Sequence, residues 1–319
     1  MNEKFKIVYT DHGFESIEIE RGIIESANGN LIIAQCKTAE DVIEATADAD
    51  ALLVQWAPVT ADVIDALRQC RVIVRMGIGF DNVDIEAARQ KEIPVCNVPD
   101  YCINEVADHT LAMALSLARQ LHITDRRVRD GSWNIIPAGK MPAFHEMTFA
   151  TVGFGRIARA VHQRARHFSF KLVAYDKFVS SESMLEQGVS FLNLDNLFEH
   201  GDIISLHCQL TDETAHLVNA ARLQRMKPSS ILINTARGLL VDTVALAKAL
   251  KSGDIAAAGV DVFETEPLPE KHPIRSCGNA LLTSHTAWYS ESSVPELQKN
   301  AAEELVRGLQ EKPLQNQVN

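Results

Sequence analysis

The stretch Thr151-Val152-Gly153-Phe154-Gly155-Arg156-Ile157-Ala158 decides the fold of this chain. An apolar run over 149–152 leads into it and a helical pattern follows it. The next apolar run, 171–175, ends on Asp176. Each residue has a reason to be where it is. Gly153 permits a tight strand-to-helix turn, and Gly155 presents no side chain to an approaching pyrophosphate. Arg156 and Ile157 open a helix whose free N–H groups and dipole favour negative charge. Ala158 is small enough to let that helix lie on a sheet. Asp176 is placed to accept hydrogen bonds from ribose hydroxyls, and its charge disfavours a 2′-phosphate, so the pattern predicts NAD rather than NADP. A glycine turn alone also fits an ordinary strand–helix joint. The succession of strand, turn, helix, strand and terminal acid is what points to a dinucleotide.

Working outward, short apolar runs alternate with amphipathic stretches over nearly the whole chain. Strands are predicted at 5–9, 31–34, 51–55, 72–75 and 94–96, with helices such as 61–70 and 85–91 between them. A long helical stretch from 104 to about 130 follows, carrying Val106, Leu111, Leu115, Ala118 and Leu121 at helical spacing. A second strand series comes next, at 149–152, 172–175, 189–192, 203–206, 231–234, 257–260 and 280–283, and a last helix at 294–309. Alternation of this kind predicts an α/β fold with parallel sheets. A length of 319 residues suits two domains. The expected architecture is two doubly wound, Rossmann-like domains. One spans 102–289, and is inserted into a flavodoxin-like domain built from 1–101 and 290–319, to which the last helix returns.

A net charge of −11 argues against a nucleic-acid partner. The arginines at 126, 127 and 129 read as a solvated helix face or a subunit contact. Six cysteines stand at 36, 70, 96, 102, 208 and 277, with no Cys-x-x-Cys pair, so neither a disulfide framework nor a metal site is expected. No apolar segment has the length of a membrane span or signal peptide, so no membrane partner and a cytoplasmic location are expected.

Three further strand ends carry chemistry-bearing side chains. They are Asn234-Thr-Ala-Arg237-Gly238, Asp261-Val-Phe-Glu-Thr-Glu266-Pro267, and Ser284-His285-Thr-Ala-Trp288. In a parallel sheet these open onto the edge that carries the glycine turn. An arginine fork suits a carboxylate, a histidine can give a proton to a carbonyl near neutral pH, and a carboxylate beside that histidine orients and charges it. Arg237, His285 and Glu266 fill those roles for reduction of a 2-oxo acid. Taken singly, Arg237 also fits a surface ion pair, Glu266 a proline-rich loop, and His285 a helix cap.

With these motifs in view, the chain resembles the D-isomer-specific 2-hydroxyacid dehydrogenases along nearly its whole length. Gly153-Phe-Gly-Arg-Ile-Ala158, Leu206-His-Cys-Gln-Leu-Thr-Asp-Glu-Thr214, Asn234-Thr-Ala-Arg-Gly238, Gly259-Val-Asp-Val-Phe-Glu-Thr-Glu-Pro267 and the His285 segment carry the resemblance. It implies a homodimer and the Arg237–Glu266–His285 set. It implies that Asp261 holds the nicotinamide carboxamide, that the backbone around His207 and Cys208 lines the cofactor, and that Thr214, Thr235 and Ala236 join the cofactor set.

Val74-Arg-Met-Gly-Ile-Gly-Phe-Asp-Asn82 and His285-Thr-Ala-Trp-Tyr-Ser290 resemble the C-terminal binding protein branch of that family. That likeness implies a substrate set of Arg75, Met76, Gly77, Ile78, Gly79 and Trp288. A surface ion pair for Arg75 and interdomain packing for Trp288 stay open beside it. The chain departs from the family pattern at Ala158, at Asp100 after Pro99, and at Gln209 after Cys208. The leading expectation is an NAD-dependent 2-oxo acid reductase working reversibly on D-2-hydroxy acids. A D-3-phosphoglycerate dehydrogenase and an NADH-responsive binding protein or corepressor are the alternatives.

Overall fold

The computed structural model describes residues 4–135 and 139–319. Contacts divide the chain into two compact units. One runs up to Cys102 and resumes over Tyr289–Asn319, and the other is Ile103–Trp288.

In the first unit the elements are β1 (Phe5–Tyr9), α1 (Glu18–Ser26), β2 (Gly29–Ile33), α2 (Ala39–Thr46), β3 (Ala51–Val54), α3 (Ala61–Ala66), β4 (Val72–Arg75), α4 (Ile85–Gln90) and β5 (Val95–Cys96). The strands are parallel and ordered β2-β1-β3-β4-β5. That is the flavodoxin-like order. The central strands are apolar without interruption because both faces are covered. All four residues of Ala51–Val54 are buried. On one face, Val42, Val63, Ile64 and Ala88 from α2, α3 and α4 close over Leu52 and Ile73. The last helix of the chain, Ser293–Leu309, packs on α1 and against β3 and β4. Gly308 makes that approach possible, since a Cβ there would stand 2.6 Å from the Val72 side chain. The segment after this helix runs antiparallel along β5. Val318 N–H donates to Val95 O at 2.9 Å and Asn97 N–H to Asn316 O at 3.1 Å.

The second unit contains α5 (Ile103–Ala118), α6 (Leu121–Arg129), β6 (Thr148–Val152), α7 (Arg156–Ala165), β7 (Lys171–Tyr175), α8 (Ser181–Glu186), β8 (Ser190–Phe191), α9 (Leu194–His200), β9 (Ile203–Leu206), α10 (Ala220–Leu223), β10 (Ile231–Asn234), α11 (Thr243–Ser252), β11 (Ala257–Val260) and β12 (Ala280–Leu282). Its strands are also parallel, in the order β12-β11-β10-β9-β6-β7-β8. Strand order reverses between β6 and β9, which creates the switch point where ligands of doubly wound sheets bind. One face is covered by α5 and α7, through Ala107, Leu111, Leu117 and Val161. The other is covered from α9 and α11, through Leu197, Phe198 and Leu246.

The expected long helix over 104–130 is two helices. Gln120 lies in the left-handed region at φ 51°, and its N–H turns back to Leu117 O. The apolar spacing runs on through the break, which is why the sequence reads as continuous. Yet α5 buries eight side chains whereas α6 buries none. Its Leu121 and Val128 are more than half exposed.

His162 on α7 is buried against β6, with Nε2 at 2.9 Å from the Thr151 hydroxyl and its ring edge-on to Phe149. Burial, then the nearby His207 and Arg166, push its pKa down to about 3. The sign follows from linkage. Above its unfolded value of about 6.5 the neutral ring stabilises the fold in full. As pH falls below that value, the unfolded chain takes a proton that the folded chain refuses. Stability should therefore fall by about 1.4 kcal/mol per pH unit from this residue alone. Urea melts should show this loss between pH 6.5 and pH 5, and His162→Gln should reduce the slope without removing it, because burial lowers the pKa of His207 in the same direction; equal slopes in the two proteins would refute the assignment.

Candidate active site

The glycine turn stands at the carboxyl end of β6. Gly153 adopts φ +99°, and a Cβ there would fall 2.6 Å from the His207 carbonyl carbon and 2.8 Å from Cys208 N. Both conformation and space thus demand glycine. Its N–H donates to Tyr175 O at 2.7 Å, while His207 N–H donates to Val152 O at 2.7 Å. Gly155 differs. It is the N-cap of α7, no side chain caps it among the described residues, and a Cβ there would meet nothing within 4 Å. The described residues leave the space beside Gly155 open, and the N–H groups at Arg156 and Ile157 lie at that end of the helix. This is what a pyrophosphate requires. Ala158 is fully buried beneath.

Asp176 ends β7 with its carboxylate fixed. Oδ2 accepts from Phe154 N–H at 2.7 Å, and Oδ1 accepts from Phe178 N–H at 2.8 Å and Val179 N–H at 3.2 Å. The same carboxylate therefore braces the glycine turn. Around the turn, the His207 ring bonds Ser205 Oγ at 2.9 Å, and burial pushes the Cys208 thiol up to about 11. Thr214 closes its own loop, accepting from Thr211 N–H at 2.8 Å and donating to Gln209 O at 2.7 Å. Thr235 is buried with its hydroxyl 2.8 Å from that of Thr110.

The three chemical loops hold one another. Asn234 is fully buried at the end of β10. Its Nδ2 donates to Arg237 O at 2.8 Å and its Oδ1 accepts from Ala236 N–H at 3.1 Å. This side-chain-closed turn presents Arg237, whose Nη1 donates to Ala236 O at 2.7 Å. A Cβ on Gly238 would overlap the Phe263 carbonyl at 2.0 Å, so the arginine loop rests directly on the backbone of the glutamate loop. Glu266 then reaches two ways. Oε1 accepts from Phe263 N–H at 2.8 Å and Oε2 pairs with His285 Nδ1 at 2.7 Å. Burial raises the Glu266 carboxyl, but the hydrogen bond and charge of His285, the Phe263 N–H and the charge of Arg237 together outweigh it and hold it below its ordinary value.

His285 is one of few side-chain-bearing residues at positive φ, +55°. Such a conformation persists only where the surroundings over-determine it. Asp261 does so here. Its carbonyl accepts from His285 N–H at 2.7 Å, Oδ1 accepts from Thr286 N–H at 2.9 Å and from the Thr283 hydroxyl, and Oδ2 accepts from Ala287 N–H at 3.0 Å. His109 of α5 adds a ring nitrogen 3.1 Å from Thr283 Oγ1. The family resemblance implies a cofactor contact for Asp261, whereas the structure buries it fully and commits its oxygens to the His285 loop. Neither this bracing role nor the positioning roles of Asn234, Thr283 and His109 is evident from the sequence motifs. An Asn at the head of a Gly-containing turn is the one signal that could have found Asn234; nothing local marks Thr283 or His109.

In the first unit, Arg75 ends β4 and its guanidinium folds over Gly77, where a Cβ would collide with Nη1 at 1.8 Å. Gly77 takes φ +144° and its carbonyl accepts from Val98 N–H at 3.0 Å. Asn97 Nδ2 donates to Ile78 O at 2.6 Å, and Gly79 follows in the same turn. Met76 is buried, so only its backbone is available at this edge. Trp288 is half-buried at the end of the second unit.

Comparison with known proteins identifies the family. Residues 111–287 match the model of the D-isomer specific 2-hydroxyacid dehydrogenase NAD binding domain. The chain is 37% identical over 269 residues to the glyoxylate reductase of Korarchaeum cryptofilum, covering 83% of this chain and 81% of that one. It is 34% identical to the D-3-phosphoglycerate dehydrogenase of Methanocaldococcus jannaschii over 91% of its own length, but over only 56% of that protein. Among solved structures, D-lactate dehydrogenase from Aquifex aeolicus complexed with NAD and lactic acid superposes with a TM-score of 0.87, at 27% identity over 96% of both chains. The chain belongs to the D-isomer specific 2-hydroxyacid dehydrogenases. It is accordingly an NAD-dependent oxidoreductase acting on CH–OH groups.

The loop contacts give a direct test. Gly238→Ala forces a methyl into the Phe263 backbone and should cost about 1–3 kcal/mol. Its thermal midpoint should drop, with the fall in turnover exceeding that in stability because Glu266 is carried on the displaced backbone. An unchanged midpoint would show that the loops do not depend on this contact.

Proposed function

We propose that the protein reduces small, unphosphorylated 2-oxo acids to D-2-hydroxy acids, with Arg237, Glu266 and His285 as its chemical set. The observation that carries this reading is the 2.7 Å pair between Glu266 and His285, on loops seated against that of Arg237. In this reading the unit Ile103–Trp288, which carries the glycine turn and the three chemical loops, is the nucleotide-binding domain, and the unit built from both chain ends is the substrate domain. Bound NADH supplies the hydride. Gly153, Gly155, Arg156, Ile157 and Asp176 would hold the dinucleotide, the His207–Cys208 and Thr235–Ala236 backbones would line it, and Thr214 shapes the adjoining loop; Asp261, fully buried with its oxygens committed to the His285 loop, serves the site by bracing that loop.

Arg237 binds the substrate carboxylate with its planar fork and polarises the neighbouring carbonyl. Glu266 occupies His285 Nδ1, so Nε2 is the atom that gives its proton to the developing alkoxide. By the family resemblance, the backbone of 75–79 and the Arg75 guanidinium would add donors for the carboxylate, and Trp288 would border the side chain. The relatives' names support glyoxylate- and lactate-sized acids. The phosphorylated alternative would need more cations than Arg75 at the 75–79 turn.

Oxidation of NADH by glyoxylate, pyruvate, hydroxypyruvate, 4-methylthio-2-oxobutyrate and phosphohydroxypyruvate tests this. Turnover should favour an unphosphorylated acid, and His285→Ala should reduce it by roughly 10²–10⁴-fold while NADH still binds. A variant that kept its turnover would remove His285 from the role. Preference for phosphohydroxypyruvate would favour the phosphoglycerate reading, and tight NADH binding without any turnover the binding-protein one.

We further infer a homodimer assembled through α6 and the segment after it. Leu121 and Val128 on α6, with Trp133 and Ile135 beyond, leave a run of exposed apolar surface that the described residues do not cover. Sedimentation should report a dimer, and Leu121→Glu with Val128→Glu should shift it toward monomer. A monomeric parent protein would sink the inference. A cytoplasmic location accords with the six free thiols, and no helix among the described residues is long and apolar enough to cross a membrane.

A further inference from the structure

Lys177 follows Asp176 directly, at the carboxyl end of β7, and Glu213 lies in the 209–214 loop after β9. In the sheet β7 and β9 are the two neighbours of β6. The Lys177 ammonium donates to Glu213 Oε2 at 2.6 Å. This ion pair therefore reaches from one flank of β6 to the other, at the end of the sheet that carries the glycine turn. Neither partner's backbone is loose. Asp176, beside Lys177, is fixed by three backbone N–H groups, and Thr214, beside Glu213, ties its loop through Thr211 and Gln209.

At the ribose end of the dinucleotide the chain thus gathers a carboxylate, an ammonium and a second carboxylate. A 2′-phosphate adds close to two negative charges at neutral pH. A site that accepts it needs a cation near the ribose-binding acid. Lys177 is such a cation by position, adjacent in sequence to Asp176, but Glu213 neutralises it.

We propose that Glu213 is a specificity-determining residue that sequesters Lys177 and so turns the site against 2′-phosphorylated dinucleotides. This rests on the dinucleotide reading of the glycine turn and goes beyond it. Asp176 repels the extra phosphate, and Glu213 withholds the side chain that would compensate. Both members of the pair are exposed, and exposed pairs are weak, so the effect is a severalfold bias and not an absolute exclusion.

The test is titration calorimetry of NADH and NADPH against the whole protein, Glu213→Gln, Lys177→Met and the double variant. Glu213→Gln should improve NADPH affinity about three- to tenfold relative to NADH, in line with the loss of one exposed charge pair. Adding Lys177→Met should abolish that gain. High salt should shrink it, as screening of exposed charges requires. An unchanged NADPH-to-NADH ratio in Glu213→Gln overturns the proposal, and so does a gain that persists without Lys177. Failure of the unaltered protein to bind NADH at all would remove the dinucleotide reading itself, and this inference with it; tight NADH binding with an unmoved ratio removes this inference alone.

Discussion

The candidate site depends on one buried carboxylate. Asp261 is fully buried at the end of β11, and it receives its hydrogen bonds from the loop that carries His285. A buried charge is costly unless its oxygens are satisfied. Here the donors are backbone N–H groups at 286 and 287 and a threonine hydroxyl, so the demand of the charge becomes a geometric instruction to the loop. The unfavourable backbone of His285 is the result of that instruction. The ring is carried on a conformation that a free histidine would rarely take, and Glu266 finds it at hydrogen-bond distance.

The remaining loops are organised by close approach more than by charge. Gly238 lies on the Phe263 carbonyl, and Gly153 lies on the His207–Cys208 backbone. Both are joints between the ends of different strands of the sheet. They explain how residues separated by tens of positions in sequence form one rigid edge. The polar turns at Asn234 and Asp176 then set the direction of each loop from within, by hydrogen bonds from side chain to backbone.

Much of this was legible in the sequence. The apolar runs of the buried strands, the glycine turn and the acid at the end of the following strand are local signals, and local physics fixes them. Alternation of strands and helices gives the parallel, doubly wound class, but not the strand order, since it leads to two different orders in the two sheets. The break at Gln120 was not legible. The spacing of Leu111, Leu115, Ala118 and Leu121 is that of one helix, and what separates the two, the left-handed backbone of Gln120 and the burial that ends after Ala118, leaves no mark in that spacing. The bracing of His285 by Asp261, Thr283 and His109 was hidden for a similar reason. Those residues meet through the tertiary fold, and no spacing along the chain announces a contact between α5 and a loop after β12.

The two glycines of the turn answer to different masters. Gly153 is required by the protein's own atoms, whereas at Gly155 the described chain offers no obstacle to a larger residue. A descendant of this fold that had abandoned its nucleotide would still be obliged to keep the first and would be at liberty to lose the second. The pair therefore records, in two neighbouring letters, the separate histories of an architecture and of its use.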